Sequence, residues 1–192
     1  MSYRPITDVW ILARPKVKYY GEYPNGFLER AKGLLGITNR DAVLHVCGGH
    51  AKSYPNKRVM GMADYTLDLD PATAPDFLQD ARDPLPHHPT AVSWPAILID
   101  RPYTAEDAKF YNPGPEKLPP INALLKNALG VVRAGGKVGV LDYFLPQPPK
   151  IGVRFVACVG VIVGFNNRMR VFSVFERDLV DPPVAPDQKV SA

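Results

Sequence analysis

The run Ile97-Leu98-Ile99-Asp100-Arg101-Pro102-Tyr103 sets a carboxylate and an aromatic ring close together, directly after an apolar stretch. An apolar run that stops at an acid reads as a buried strand, and the carboxyl end of a strand is where an open α/β sheet holds its ligand. A carboxylate there can accept a hydrogen bond from an amine, and a flat ring beside it can stack on a flat substrate. A second strand end lies in Val43-Leu44-His45-Val46-Cys47-Gly48-Gly49-His50, where glycines let the backbone approach a ligand that a Cβ would block. About twenty residues later, Leu67-Asp68-Leu69-Asp70-Pro71 brings another acid to the end of an apolar run. Such an acid can accept both hydroxyls of a ribose.

These residues need strands that share a sheet. Residues 42–47, 65–70, 76–81, 95–100, 137–144, 155–164 and 169–176 read as strands, the second stopped by Pro71. Phe27, Leu28, Ala31, Leu34 and Leu35 recur at helical spacing, with Gly36 suited to the helix end. Ile121, Leu124, Leu125, Ala128, Val131 and Val132 do the same, with Gly135-Gly136 expected to end that helix. Strands separated by helices predict an α/β fold with a mainly parallel sheet and helices on both faces. The last two strands are joined by Phe165-Asn166-Asn167-Arg168, a hairpin turn in which Asn tolerates positive φ. Val9-Trp10-Ile11-Leu12 is a short apolar piece in a Pro- and Tyr-rich segment, residues 1–26.

Composition sets the outer bounds. The 192 residues fit one domain, placed at 1–178, and residues 179–192 lack periodicity and read as a disordered Pro-rich tail. A net charge of +4 permits nucleic-acid contact without demanding it. Arg14, Lys16 and Lys18 alternate, as do Arg168 and Arg170, so each set projects from one face of an extended strand, either as a solvated edge or as a phosphate track. Cys47 and Cys158 sit in apolar runs and read as buried free thiols rather than a disulfide or metal ligands. His87-His88 has no acids or cysteines at ligand spacing, so no metal site is expected; His45 reads as packing, and His50 as a neighbour of the glycine loop's ligand. No apolar run approaches the ~18 residues of a membrane span, and no signal peptide is evident, which gives a soluble, cytoplasmic expectation with no membrane partner.

Neither Gly-x-Gly-x-x-Gly nor a phosphate-cradling Gly-Lys-Ser/Thr loop is present, so a ligand with ribose and adenine but no phosphate fits better, S-adenosylmethionine being the common one. Asp100-Arg101-Pro102-Tyr103 resembles the Asp-Pro-Pro-Tyr signature of S-adenosylmethionine-dependent amino-methyltransferases, with Arg101 in place of the first proline. From about residue 17 to 177 the order of motifs looks like that of the class I methyltransferases. The resemblance implies a Rossmann-like, seven-stranded, mostly parallel sheet with a C-terminal antiparallel hairpin.

On the same resemblance, Tyr20 belongs to the element that closes over the methionine part of the cofactor, and Cys47, Gly48 and Gly49 form the loop beneath it. Asp68 matches the ribose-binding acid, while Asp80 and Ala81 match the pair that reads the adenine. Asp100 and the carbonyl of Arg101 are implied as acceptors for an exocyclic amine, with Pro102 shaping the turn and Tyr103 stacking on the base. The implied activity is methyl transfer to a nucleic-acid base. Adenine N6 in DNA is favoured, and RNA, a protein amide, a small aromatic amine or a non-catalytic binding subunit stay open. A guanidinium at position 101 could also hold a phosphate or carboxylate at the mouth of the site. Phe110, Tyr111 and Asn112 are candidates for the substrate mouth. The sequence leaves the oligomeric state open.

Overall fold

The structure is a computed structural model that describes residues 4–16, 21–38, 40–53, 63–111, 118–164 and 168–179. Among these, eight strands form one sheet: β1 (Ile6–Leu12), β2 (Ala42–Val46), β3 (Ala63–Asp68), β4 (Phe77–Leu78), β5 (Trp94–Ile99), β6 (Val132–Asp142), β7 (Val153–Val163) and β8 (Met169–Arg177). Their order is β1-β7-β8-β6-β5-β2-β3-β4. Every strand pair is parallel except the two that β8 makes, with β6 and with β7. The sheet is therefore α/β and mostly parallel, with the antiparallel hairpin β7–β8 near one edge.

Among the described residues, three α-helices accompany it: α1 (Phe27–Leu35), α2 (Ala105–Tyr111) and α3 (Ile121–Val131). The central strands are buried on both faces, so their side chains sort by the two-residue period into two cores. Ala96 and Leu98 of β5 join Val43, Phe172 and Val174 beneath Phe27, Leu28, Ala31 and Leu35 of α1. Ile97 and Ile99 join Leu44, Val46, Val138 and Val140 beneath Leu124, Leu125, Ala128 and Leu129 of α3. Each such leucine or phenylalanine contributes about 1.5–3 kcal/mol by leaving water. Gly36 ends α1 as expected: at φ +66° its N–H reaches the Gly33 carbonyl, and the Ile37 N–H reaches that of Lys32.

Three expectations are corrected. The sheet has eight strands rather than seven, because residues 6–12 form β1, parallel to β7. Val9 and Ile11 face solvent at 55% and 74% exposure while Trp10 and Leu12 are buried, so this apolar strand carries no polar alternation to announce it. Asp8 covers part of its open edge by accepting from the Val9 N–H (2.8 Å) and the Trp10 indole N–H (2.9 Å). Second, Gly135-Gly136 does not end α3. That helix stops at Val131 and the chain continues straight into β6, where Gly135 (φ +70°) sits opposite a register shift beside Pro95. A Cβ on Gly136 would stand 2.9 Å from the Pro95 carbonyl oxygen, so the glycines serve a bulge. Third, the strand expected at 76–81 contracts to Phe77–Leu78.

The described parts of the connections between β2 and β5 hold only short 3-10 turns, at Ala51–Ser53 and Pro71–Thr73. Between β4 and β5, over residues 79–93, a loop takes the place of a helix. Leu85 is buried, the Trp94 indole donates to the Pro86 carbonyl at 2.8 Å, and the His88 ring lies 4.6 Å from that indole. His88 is thus a packing residue whose Nδ1 accepts the Thr90 and Ala91 amides.

Candidate active site at the strand ends

The strand order reverses at β2, which has β3 on one side and β5 on the other. At such a switch point the carboxyl ends of the strands diverge and leave a crevice. A cavity of about 320 Å³ opens there. Its wall contains Cys47, Gly48, Gly49, Asp68, Asp80, Ala81 and the whole quartet from Asp100 to Tyr103. Every site residue expected from the sequence lines this one cavity except Tyr20, which lies outside the described residues; its neighbours Gly21 and Tyr23 line it. His50 also lines it, while His45 is fully buried on β2 with Nε2 3.2 Å from the Asp64 carboxylate. The side chains of Phe110 and Tyr111 and all of Asn112 lie outside the described residues.

Asp68 fastens β3 to the glycine loop. Its Oδ2 accepts the Gly49 N–H at 2.8 Å and its Oδ1 accepts the Asp70 N–H at 3.0 Å. A carboxylate offers about four acceptor positions, so these two bonds leave about two unused, the number a ribose diol needs. Gly48 runs in close contact beneath: a Cβ there would lie 3.0 Å from the His45 Cβ, the His45 carbonyl oxygen and the Thr66 Cγ2. Gly48→Ala is therefore expected to cost about 1–3 kcal/mol and to displace the loop, read as a Tm lower by several degrees. An unchanged Tm would mean that the loop has slack.

Asp80 is held by Arg82. The Nε–H of Arg82 reaches both carboxylate oxygens (3.0 and 2.9 Å), its Nη2 reaches Oδ2, and its backbone N–H reaches Oδ1 at 2.8 Å. These hydrogen bonds hold the Asp80 carboxyl below the usual carboxylate range. Ala81, 5% exposed, packs behind it. The Cys47 thiol is pushed up by burial and then by the charges of Asp68 and Asp100, so it stays protonated and is a wall rather than a nucleophile.

Asp100 follows β5, its N–H donating to the Val46 carbonyl at 3.2 Å. Burial raises its carboxyl to about 6 against the opposing pull of Arg170 and of the Tyr103 hydroxyl, which donates to Oδ1 at 2.5 Å. The Tyr103 ring has its centroid 4.7 Å from that of Tyr143, and the Arg170 guanidinium lies 4.9 Å from the Tyr103 centroid. Arg101 corrects one expectation. The residue is 5% exposed and its side chain turns inward, with Nε donating at 2.7 Å to Asp142, the fully buried acid that ends β6.

Tyr143, Arg170 and Arg82 were not assigned to the site from sequence. Tyr143 had the same signal as Tyr103, an aromatic ring next to an acid at a strand end. Arg170 shares the alternation with Arg168, but its destination depends on β8 running against its neighbours.

No family model and no curated protein sequence matches the chain. Solved structures do resemble it. TrmN from Thermus thermophilus superposes with a TM-score of 0.56 at 18% identity over 82% of this chain, which spans 50% of that one. An rRNA methylase from Streptococcus thermophilus gives 0.51 at 10% identity, covering 79% of this chain and 96% of that one. A Listeria monocytogenes protein described as a class I S-adenosylmethionine-dependent methyltransferase gives 0.50 at 14% identity, over 87% of this chain and 63% of that one. At these identities the likeness is one of fold, and the chain has the mostly parallel, Rossmann-like fold of these methyltransferases.

Proposed function

We propose that the protein is an S-adenosylmethionine-dependent methyltransferase acting on an exocyclic amine of a nucleic-acid base, with adenine N6 in DNA the favoured acceptor. The observation that carries this reading is the convergence of Asp68, the Gly48-Gly49 loop, Asp100 and Tyr103 on one cavity at the switch point of the sheet. The cofactor fits the residues present: Asp68 has acceptor capacity for a ribose, and Gly48 and Gly49 present side-chain-free backbone to the cavity. When bound, S-adenosylmethionine supplies an activated methyl group on a sulfonium.

The chain's own residues then have to make a poor nucleophile better. An exocyclic amine is poor because its lone pair is delocalised into the ring. Asp100 and the carbonyl of Arg101 accept its two hydrogens, which favours the tetrahedral, nucleophilic nitrogen. Tyr103 holds the base in plane, and its own ring is fixed by the hydroxyl bond to Asp100. With its carboxyl near 6, Asp100 is ionised at neutral pH and still basic enough to take the proton released as the N–C bond forms. The buried Arg101–Asp142 pair holds the turn that proline stiffens in the Asp-Pro-Pro-Tyr signature. An extruded or single-stranded base is the form that can reach Asp100.

The test is methyl transfer from isotopically labelled S-adenosylmethionine to single-stranded DNA, duplex DNA and RNA, followed by nucleoside mass analysis. Labelled N6-methyladenine in DNA supports the full reading, and label confined to RNA moves the acceptor while keeping the chemistry. Absence of label from every nucleoside overturns the nucleic-acid acceptor and directs the search to protein amides and small amines.

A further inference from the structure

β8 runs against the rest of the sheet, so its first residues, not its last, arrive at the ligand end. Arg168 and Arg170 stand there, two residues apart, and both line the cavity. Their alternation in the sequence thus becomes a shared face at the site. Arg170 is half-buried with its guanidinium over the Tyr103 ring, while Arg168 is exposed at the rim. The wall holds two further arginines, Arg82 paired with Asp80 and Arg101 paired with Asp142.

The chemistry of the acceptor limits what this pair can serve. A neutral aromatic amine needs acceptors, which Asp100 and a carbonyl provide, and gains no hydrogen bond from a guanidinium aimed at its hydrogens. A cationic acceptor such as a protonated amine would be repelled. Two guanidinium groups beside the ring that stacks on the acceptor instead match an anion joined to that acceptor. A guanidinium has five N–H donors, so neither a ring contact nor an ion pair to a neighbour exhausts it.

We propose that Arg168 and Arg170 form a clamp for the phosphodiester next to the methylated nucleotide, with Arg168 making the rim contact and Arg170 the inner one. This rests on the nucleic-acid reading above and names the part of the acceptor that the two residues hold. The clamp fixes the register of the strand without reading its sequence, as phosphate contacts do.

The test uses the full chain, S-adenosylhomocysteine and a fluorescein-labelled single-stranded DNA 12-mer with one adenine. Binding is followed by anisotropy against salt, and each phosphate flanking the adenine is replaced in turn by a neutral methylphosphonate. The parent protein should lose about 3- to 10-fold in affinity at low salt for one of the two substituted strands. Arg168→Gln should bind the unmodified strand that much more weakly, should be indifferent to the same methylphosphonate, and should flatten the slope of log K against log salt by about 0.7. Because Arg168 is exposed, its variant should melt with the parent, which separates lost contact from lost fold.

Equal affinity of Arg168→Gln and parent, with equal sensitivity to the methylphosphonate, overturns the clamp, as does failure of the parent to bind the strand. Methyl transfer is assayed in parallel on the same proteins and strands, with labelled S-adenosylmethionine in place of S-adenosylhomocysteine. Transfer to adenine without any effect of Arg168 removes the clamp and keeps the enzyme. Phosphate-dependent binding without transfer removes the enzyme and keeps the clamp.

Discussion

Asp100→Ala is expected to lower kcat for methyl transfer by about 10²–10³-fold or more, with cofactor binding retained. The size follows from removing the charged acceptor at the nitrogen where the bond forms, while Asp68 and the glycine loop stay in place. A drop confined to KM would instead make Asp100 a binding residue. The pH profile is the sharper signature. In the proposed mechanism Asp100 acts as a carboxylate, so kcat/KM should rise about tenfold per pH unit below about 6 and level off above it, where an unperturbed aspartate would titrate near 3.8. Arg170→Gln should move that limb to higher pH, because the Arg170 charge pulls the Asp100 carboxyl down.

The same burial has a consequence for stability. The folded-state value lies above the unfolded one, so the folded protein binds this proton more tightly. The contribution of Asp100 to stability is fully present below about 4 and is lost as pH rises through about 6. Asp100→Asn keeps an oxygen to accept the Tyr103 hydroxyl and carries no charge to desolvate. It should be more stable than the parent at pH 8, on the order of 1–3 kcal/mol, with the gain fading towards pH 4. Urea melts at both pH values check this; equal stability at pH 8 would show that Asp100 is well solvated.

What could be read from the sequence, and what could not, follows from how far each signal reaches along the chain. β5 and its terminal acid were legible because a strand buried on both faces is a continuous apolar run, and Asp100 breaks it. The glycine loop and Asp68 were legible for the same reason. β1 was not, since Val9 and Ile11 stay exposed on an edge where periodicity says nothing of pairing. Gly135-Gly136 looked like a helix end because a cap and a bulge both use glycine's positive φ; only the register against β5 separates them. Asp80 was visible as an acid, but its capture by Arg82 depends on the turn between them. The destination of Arg101 was the least accessible. Its partner lies 41 residues away on another strand, and position 101 by itself looks equally able to face solvent.

That hidden partner yields the second large effect. Arg101→Pro, which would restore the Asp-Pro-Pro-Tyr form of the quartet, is expected to destabilise this protein by about 3–5 kcal/mol, because it leaves the Asp142 charge buried and uncompensated. In a chain of this size that is a Tm lower by roughly 10 °C, measurable by calorimetry or urea melts. The loss belongs to the broken pair rather than to the proline, so removing the orphaned charge should return most of it. Asp142→Asn keeps an oxygen for the Phe144 N–H that Asp142 accepts at 3.1 Å, and the double variant Arg101→Pro/Asp142→Asn should recover at least half of the deficit. No recovery would place the cost in the backbone of the turn and remove the ion pair from the account. If the double variant recovers both stability and methyl transfer, proline and the buried pair are two solutions to one requirement, a fixed carbonyl at residue 101. If it recovers stability without activity, the guanidinium has a part at the cavity wall that proline cannot take.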